Sequence, residues 1–200
     1  MGRKKTYDRD TLIDAAMELF RDHGFAGTST QMLVEGLGVN RFSLYAEFGD
    51  KQGLFDAALE RYRDVVIEPR FGPLVAADSG LDDISAVLEF YGAAGDGPAA
   101  GRGCLLCNTA IELGPHDPSG AGFVQAYFER LSRCFHNALD NAQRHGELRA
   151  EVDPQREAEF LTASVLGMFV MIRATAPAQA TQTAARAAID HLHSLRRSAP

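Results

Sequence analysis

Side chains that form strong hydrogen bonds are concentrated between residues 28 and 51. Their types are better suited to binding a polyanion than to catalysing a reaction. Arg41 carries a planar guanidinium that can pair bidentately with O6 and N7 of guanine in a DNA major groove. Asn40 and Ser43 lie beside it and can read bases or phosphates, and Gln31 is a weaker candidate for base reading. The group therefore predicts direct contacts with the edges of base pairs.

Phosphate contacts are predicted in the same stretch, because hydroxyls, an ammonium group and a helix N-terminus all suit anionic oxygens. The candidates are Thr28, Thr30, Tyr45 and Lys51. A second interpretation stays open for the two threonines, since short hydroxylated residues also cap helix N-termini by accepting backbone N–H bonds.

Two short helices joined by a tight turn would position these side chains. Leu33, Val34 and Leu37 recur at helical spacing, and Gly38 permits a turn where a side chain would clash. A second helix is predicted to open at Asn40, with its apolar side chains one turn apart and its polar ones facing away. Such a helix-turn-helix is shaped to place its second helix in a major groove. An earlier amphipathic helix, ended at Gly24, is expected to pack across both.

This stretch resembles the DNA-binding half of TetR/AcrR-type transcriptional regulators. The residues that match the family pattern are Thr30, Leu33-Val34, Gly38-Val39, Asn40, Arg41, Ser43-Leu44-Tyr45, Phe48, Lys51 and Leu54-Phe55. The chain departs from the pattern at Leu37 and Phe42, where smaller residues are usual, and at Ala46-Glu47, where aromatic residues or His are common. These departures affect which operator sequence the protein would read, and they do not affect the predicted fold. The rest of the chain resembles the family only in its general layout.

Composition excludes several classes of protein. The 200 residues carry a net charge of −7, so DNA contact has to come from local placement rather than from bulk charge. The basic cluster Gly2–Lys5 can reach a phosphate or a minor groove, or it is simply a solvated terminus. No apolar run approaches the roughly 20 residues that span a bilayer, and the N-terminus lacks the apolar core of a signal peptide. We therefore expect a cytoplasmic protein without membrane contact.

The pattern along the chain predicts an all-α fold. Residues 1–49 form a three-helix helix-turn-helix domain, and residues 50–200 form a helical effector-binding and dimerisation domain. A connecting helix is predicted to begin at Asp50 and to break at Pro69. Apolar residues go nearly all round the helix between Phe160 and Ile172, which suggests burial on more than one side.

The resemblance implies a homodimer through the last two long helices, roughly Pro154–Ala174 and Gln182–Leu195. It also implies a small-molecule effector pocket among the middle helices. The candidate lining residues are Tyr91, Cys104, Cys107, Asn108, Tyr127, Phe128 and Met168, each of which is alternatively an ordinary core residue.

Cys104 and Cys107 are three residues apart, so a helix would place them on one face. Three interpretations compete. Both cysteines are small buried hydrophobes; or Cys104, near a helix N-terminus and beside Arg102, has a lowered pKa and senses oxidants or electrophiles; or they bind zinc with two of Cys134, His116 and His136. The run from Gly103 to Asn108 also resembles that of a TetR-type subgroup, some members of which sense electrophiles through this cysteine.

Enzyme signatures are missing from the sequence, which has no G-x-S-x-G and no H-E-x-x-H motif. We therefore expect no catalytic activity, no cofactor and no metal. The sequence predicts a one-component transcriptional regulator, a repressor released from a palindromic double-stranded DNA operator by a small-molecule effector. Two alternatives stay open: the same fold acting as a cysteine-based redox or electrophile sensor, and a helical sensor or adaptor without DNA binding.

Overall fold

The computed structural model describes residues 8–114 and 118–197, which form a helical protein. Within these ranges there are ten α-helices. They are α1 (Arg9–Gly27), α2 (Thr30–Leu37), α3 (Arg41–Phe48), α4 (Lys51–Tyr62), α5 (Glu68–Phe71), α6 (Leu81–Ala93), α7 (Leu105–Leu113), α8 (Pro118–Arg144), α9 (Pro154–Arg173) and α10 (Ala178–Ser194). The all-α prediction is confirmed, and a single antiparallel bridge between Leu148 and Arg196 is the β-type pairing found in the described residues.

Helices α1 to α3 form a compact head. Phe20, Leu33 and Leu44, one from each helix, are fully buried in a shared apolar core. Helix α1 is kinked at Gly24, whose φ of 74° and ψ of 177° lie outside the helical region, so the regular helix ends where the sequence predicted. The residues after Gly24 make one further turn. Helix α2 therefore packs against α1, and α3 packs against α2 and α4 and meets the start of α1 through Arg9.

Helix α4 leaves the head and joins it to the rest of the molecule. Phe55 packs edge to face on Phe20 of α1, with ring centroids 4.8 Å apart, while Leu59 and Tyr62 are buried further along the same helix. Side chains of α4 therefore contribute to both halves, and the boundary between residues 49 and 50 stays a prediction.

The predicted break at Pro69 is wrong. A π-helical turn spans Arg63–Ile67 and passes directly into α5, which contains Pro69 in its first turn. In the wider π turn the N–H of Glu68 bonds to the carbonyl of Arg63, five residues back, and the helical path continues through the proline. The helical path bends instead at Gly72–Val75, a 3₁₀ turn in front of α6.

The C-terminal half is built from α6 to α10. Tyr91 of α6 stacks on Phe71 at 5.6 Å and meets Phe169 of α9 edge to face at 4.7 Å. Phe135 of α8 closes the other side of Phe71 at 5.8 Å. These rings belong to one apolar core that continues into the head. Across the described parts of the chain, we find no helix long and apolar enough to cross a membrane.

Candidate DNA-binding site and ligand cavity

Side-chain caps fix both helices of the helix-turn-helix. Ser29 begins α2, and its Oγ accepts the N–H of Met32 at 3.1 Å. Gly38 ends α2 in the left-handed conformation, with a φ of 65°, which a residue with a side chain rarely adopts. Asn40 begins α3, and its Oδ1 accepts the N–H of Ser43 at 2.8 Å. The predicted turn and the predicted start of α3 are therefore confirmed.

Helix α3 buries Leu44 and exposes the side chains predicted to read DNA. Arg41 is exposed, and its guanidinium carbon lies 5.3 Å from the centre of the Tyr45 ring. The hydroxyl of Tyr45 hydrogen-bonds Thr30 Oγ1 at 3.0 Å, which ties α3 to the start of α2. Phe42 stands beside Arg41 with 84% of its surface exposed, although aromatic side chains usually seek burial. This face has the shape and chemistry of a recognition helix.

The other predicted contacts have defined neighbours. Gln31 is exposed and donates from Nε2 to Glu35 Oε1 at 2.8 Å. Lys51 stands at the start of α4, where its ammonium lies 4.4 Å from the centre of the Phe25 ring. The capping bond of Asn40 uses its oxygen and leaves its amide nitrogen for other contacts.

Thr28 does not fit the phosphate role predicted for it. Its side chain is fully buried, and its hydroxyl donates to the carbonyl oxygen of Gly24 at 2.6 Å. This bond satisfies a carbonyl at the kink of α1, so Thr28 caps the end of that helix. The N-cap of α2 is the neighbouring Ser29, and the sequence could not separate the two because three hydroxylated residues stand in a row.

A cavity of about 380 Å³ lies in the C-terminal half, below the head. Helix α1, helices α4, α6 and α9, and the segment between α6 and α7 supply its walls. Its lining comprises Arg21, Tyr62, Val66, Phe90, Tyr91, Ala93, Ala94, Gly97, Pro98, Ala99, Gly103, Phe169 and Ile172. Of the seven predicted effector residues, Tyr91 lines this cavity. Tyr127 lines a second cavity of about 210 Å³ between α4 and α8.

The remaining predicted effector residues do not line either cavity. Asn108 donates to the carbonyl of Arg102 at 2.7 Å, Met168 is buried in the core, and Phe128 packs against that core. The sequence analysis did not predict Arg21, which belongs to α1 of the head and lines the cavity. A signal was present, because Ile13, Met17 and Arg21 follow each other at four-residue spacing on the buried face of α1.

The cysteines are buried free thiols. Burial raises the pKa of Cys104, and it raises the pKa of Cys107 to about 12 and that of Cys134 to about 11. Of the three interpretations, the one of small buried apolar residues fits this burial, and the lowered pKa of the sensor alternative does not. Arg102 does not activate Cys104, because its guanidinium pairs with Glu18 and Asp22. The thiol of Cys104 instead lies 3.3 Å from the hydroxyl of Tyr127.

Two predicted features fall partly outside the described residues. The basic segment Gly2–Lys5 precedes residue 8, and His116, named as a possible zinc ligand, lies between residues 114 and 118. In the portion of the chain that the structure describes, no three His, Cys, Asp or Glu side chains are grouped so that they could hold a metal ion.

A capped helix-turn-helix on a helical body that encloses an apolar cavity defines the class of helix-turn-helix transcriptional regulators. Comparison with known families agrees. The family described as "Bacterial regulatory proteins, tetR family" matches residues 12–58, and "Tetracyclin repressor-like, C-terminal domain" matches residues 80–188, more than half of the chain. The chain belongs to the TetR family of DNA-binding transcriptional regulators.

Similar proteins cover nearly the whole chain. It is 33% identical over 178 residues to the HTH-type transcriptional repressor ComR of Escherichia coli, covering 86% of this chain and 82% of ComR. It is 32% identical over 177 residues to the HTH-type transcriptional regulator YezE of Bacillus subtilis, covering 88% of this chain and 91% of YezE. Among solved structures, a cysteine mutant of the TetR-family regulator CifR, in complex with 26-bp double-strand operator DNA, superposes with a TM-score of 0.84. That match has 27% identity and covers 94% of this chain and 98% of CifR.

Proposed function

We propose that the chain is a one-component repressor that binds a palindromic operator as a homodimer and is released by a small-molecule effector. The observation that carries this proposal is the exposed face of α3, where Arg41 and Phe42 project from a helix capped at Asn40. The similarity to ComR, a repressor, and to CifR, which was solved on operator DNA, supports it.

The proposed interface divides into base and phosphate contacts. Arg41 reads a guanine, and Asn40, Ser43 and Gln31 contribute weaker polar contacts to bases or phosphates. Thr30, Tyr45 and Lys51 contact phosphates, and the Thr30–Tyr45 hydrogen bond sets the spacing between two of these groups. Phe42 is placed to touch the methyl group of a thymine, the one apolar feature of the major-groove edge.

Dimerisation is proposed through the outer face of α9 and α10. Phe160 and Val170 each keep 43% of their surface exposed, and the exposed Ala163 and Gly167 lie between them on the same side of α9. Small residues between two large apolar ones allow a second helix to approach closely. Two heads about 34–36 Å apart would then match successive major grooves of a palindrome.

The interface is tested by a single pair of variants. Phe160→Asp should shift the sedimentation of the protein from about twice the 21.7 kDa chain mass towards the monomer, because an unpaired charge would be buried. Ile111→Asp is the matched control, since Ile111 on α7 is 65% exposed and lies off this face. A Phe160→Asp protein that remains dimeric would contradict the proposed interface.

Operator binding is tested by footprinting on the DNA upstream of the protein's own gene, followed by fluorescence anisotropy with specific and scrambled duplexes. Arg41→Ala should lower the preference for the specific duplex by roughly 5- to 150-fold, which corresponds to about 1–3 kcal/mol for one bidentate base contact. Arg149→Ala, which removes a charge far from α3, should leave that preference unchanged. An unaltered preference in Arg41→Ala would refute the base-reading role.

A further inference from the structure

The larger cavity has apolar walls, with one cationic side chain in its lining and a second one nearby. Arg21 lines it, and its Nε and Nη2 donate to the carbonyl oxygen of Gly103 at 3.1 and 3.0 Å. The same guanidinium lies 5.7 Å from the centre of the Tyr62 ring, which also lines the cavity. Arg70 does not line the cavity, but its guanidinium stacks at 3.8 Å on the ring of Phe90, which does.

Neither of these two cations has an anionic partner among the described residues. Within residues 8–114 and 118–197, ion pairs to carboxylates within 4 Å are found for Arg61, Arg102 and Arg130, but not for Arg21 or Arg70. A partly buried guanidinium held only by a neutral carbonyl is incompletely compensated. The guanidinium of Arg has five N–H donors, and two of them bind the Gly103 carbonyl. The edge formed by Nη1 and Nη2 can therefore donate two hydrogen bonds to a planar carboxylate.

One further polar group at the cavity is unsatisfied. Tyr91 lines the cavity, and its hydroxyl is buried without a hydrogen-bond partner in the part of the molecule described. Burial raises the pKa of this hydroxyl above its ordinary value, although Arg70 and Arg21 act to lower it. The group therefore remains a donor at physiological pH, and both cations lie close enough to influence it.

The volume sets the size of an occupant. A cavity of about 380 Å³ equals the liquid volume of about a dozen water molecules at ~30 Å³ each. A ligand of roughly a dozen non-hydrogen atoms fills such a space, and the apolar walls require most of them to be carbon.

We propose that this cavity binds a small organic monocarboxylate with an apolar body, whose carboxylate pairs with Arg21. The inference rests on the proposed function, because it specifies the chemical class of the effector. Arg21 recognises the anion, and the rings of Tyr62, Phe90 and Phe169 enclose the apolar part. Arg70, which stacks on Phe90 without lining the cavity, adds a favourable electrostatic field.

The position of Arg21 also connects occupancy to the head. Arg21 belongs to α1, on which α2 packs, and its bond to Gly103 holds α1 against the segment before α7. Arg173 reinforces this contact by donating to the carbonyls of Arg21 and Gly101, both at 3.2 Å. A carboxylate on the free Nη1/Nη2 edge would bind the same guanidinium that holds the Gly103 carbonyl, so the ligand and the orientation of α1 depend on the same side chain.

The test uses a pair of probes that differ in charge but hardly in shape, 4-phenylbutyrate and 4-phenylbutyramide. Calorimetric titration of the full-length protein should show the acid binding about tenfold or more tightly than the amide, as expected for hydrogen bonds to a charged group. Arg21→Gln should remove this preference while leaving the affinity for the amide within about twofold. Arg149→Gln is the matched control, and Arg70→Gln serves as a second variant that spares the α1 contact and should reduce the preference less.

The possible outcomes separate the two proposals. Acid-selective binding that is lost in Arg21→Gln supports the ligand class, and release of operator DNA by the acid supports the coupling. If the acid binds selectively but does not change the affinity for operator DNA, the proposed ligand class is supported, and the proposed release of DNA by the effector is contradicted. Equal binding of both probes, binding of neither probe, or a preference that survives in Arg21→Gln overturns the inference, even where operator binding is intact.

Discussion

The carboxylate of Glu112, on α7, binds the C-terminal end of α1. Replacing this carboxylate tests quantitatively how the head is attached to the rest of the protein. The turn after Gly24 begins with backbone N–H groups that have no intrahelical acceptor, because the helix is interrupted there. Glu112 of α7 supplies both acceptors, taking the N–H of Phe25 at 2.9 Å and that of Ala26 at 2.6 Å. Gly24 makes room for the carboxylate, since a Cβ at this position would lie 2.5 Å from Glu112 Oε2.

Glu112→Gln keeps the shape of the side chain but replaces one acceptor by an NH₂ group that faces an N–H donor. A hydrogen bond to a charged group contributes about 1.5–3 kcal/mol when shielded from water, and Glu112 is exposed, so we expect a loss of about 1 kcal/mol. Hydrogen exchange at the amides of Phe25 and Ala26 should then accelerate by about fivefold. The free energy of unfolding in urea should fall by a similar amount.

Glu129→Gln is the control for this measurement, because Glu129 is exposed on α8 and bonds only to Gln125, one turn away, among the contacts described. Its effect should be a few tenths of a kcal/mol at most, about that of an exposed side-chain pair one turn apart on a helix. If exchange at the amides of Phe25 and Ala26 is unchanged in Glu112→Gln while the protein stays folded, the carboxylate does not hold the end of α1 and the reasoning fails.

Two further predictions concern packing and the thiols. Gly92→Ala should destabilise the protein by about 1–3 kcal/mol in thermal unfolding, since the new Cβ would lie 2.5 Å from that of Ala185 on α10, whereas Gly122→Ala, in open space on α8, should not destabilise it. At pH 8 the thiolate of Cys107, with a pKa of about 12, should be about three orders of magnitude less populated than that of an exposed cysteine. Iodoacetamide should therefore modify the native protein far more slowly than the urea-unfolded chain, and rapid modification of native Cys104 at neutral pH would restore the thiol-sensor alternative.

The helix-turn-helix was predictable because its signals are local. Gly38 and Asn40 fix the turn through their own backbone and side-chain geometry, and Leu44 follows at helical spacing. The burial of Thr28, by contrast, could not be predicted from local signals. Its burial depends on the kink at Gly24, which in turn depends on Glu112, 84 or more residues further along the chain.

The cavity was predictable only in its approximate place. Tyr91 was found because it lies in a periodic apolar helix of the middle region. The polar group that distinguishes the cavity, Arg21, belongs to the first helix, and its contact with Gly103 spans 82 positions. Likewise, Cys104 and Arg102 are close in sequence, but Arg102 pairs with Glu18 and Asp22. Closeness in sequence therefore suggested a lowered pKa for the thiol, whereas burial raises it.

These contacts give a route by which the proposed ligand would act on the head. Helices α1 and α4 share an apolar core, with Phe20, Phe25 and Phe55 in mutual contact, and are therefore expected to move together. The orientation of α1 against the rest of the C-terminal half depends in addition on polar contacts at one helix end, made by Arg21, Arg102, Glu112 and Arg173. Each such contact is worth about 1 kcal/mol, and coupling between ligand sites in regulated proteins is typically 1–3 kcal/mol. An effector of the proposed kind that redirected one or two of these bonds would therefore supply enough free energy to shift the head, without disturbing the core that keeps it folded.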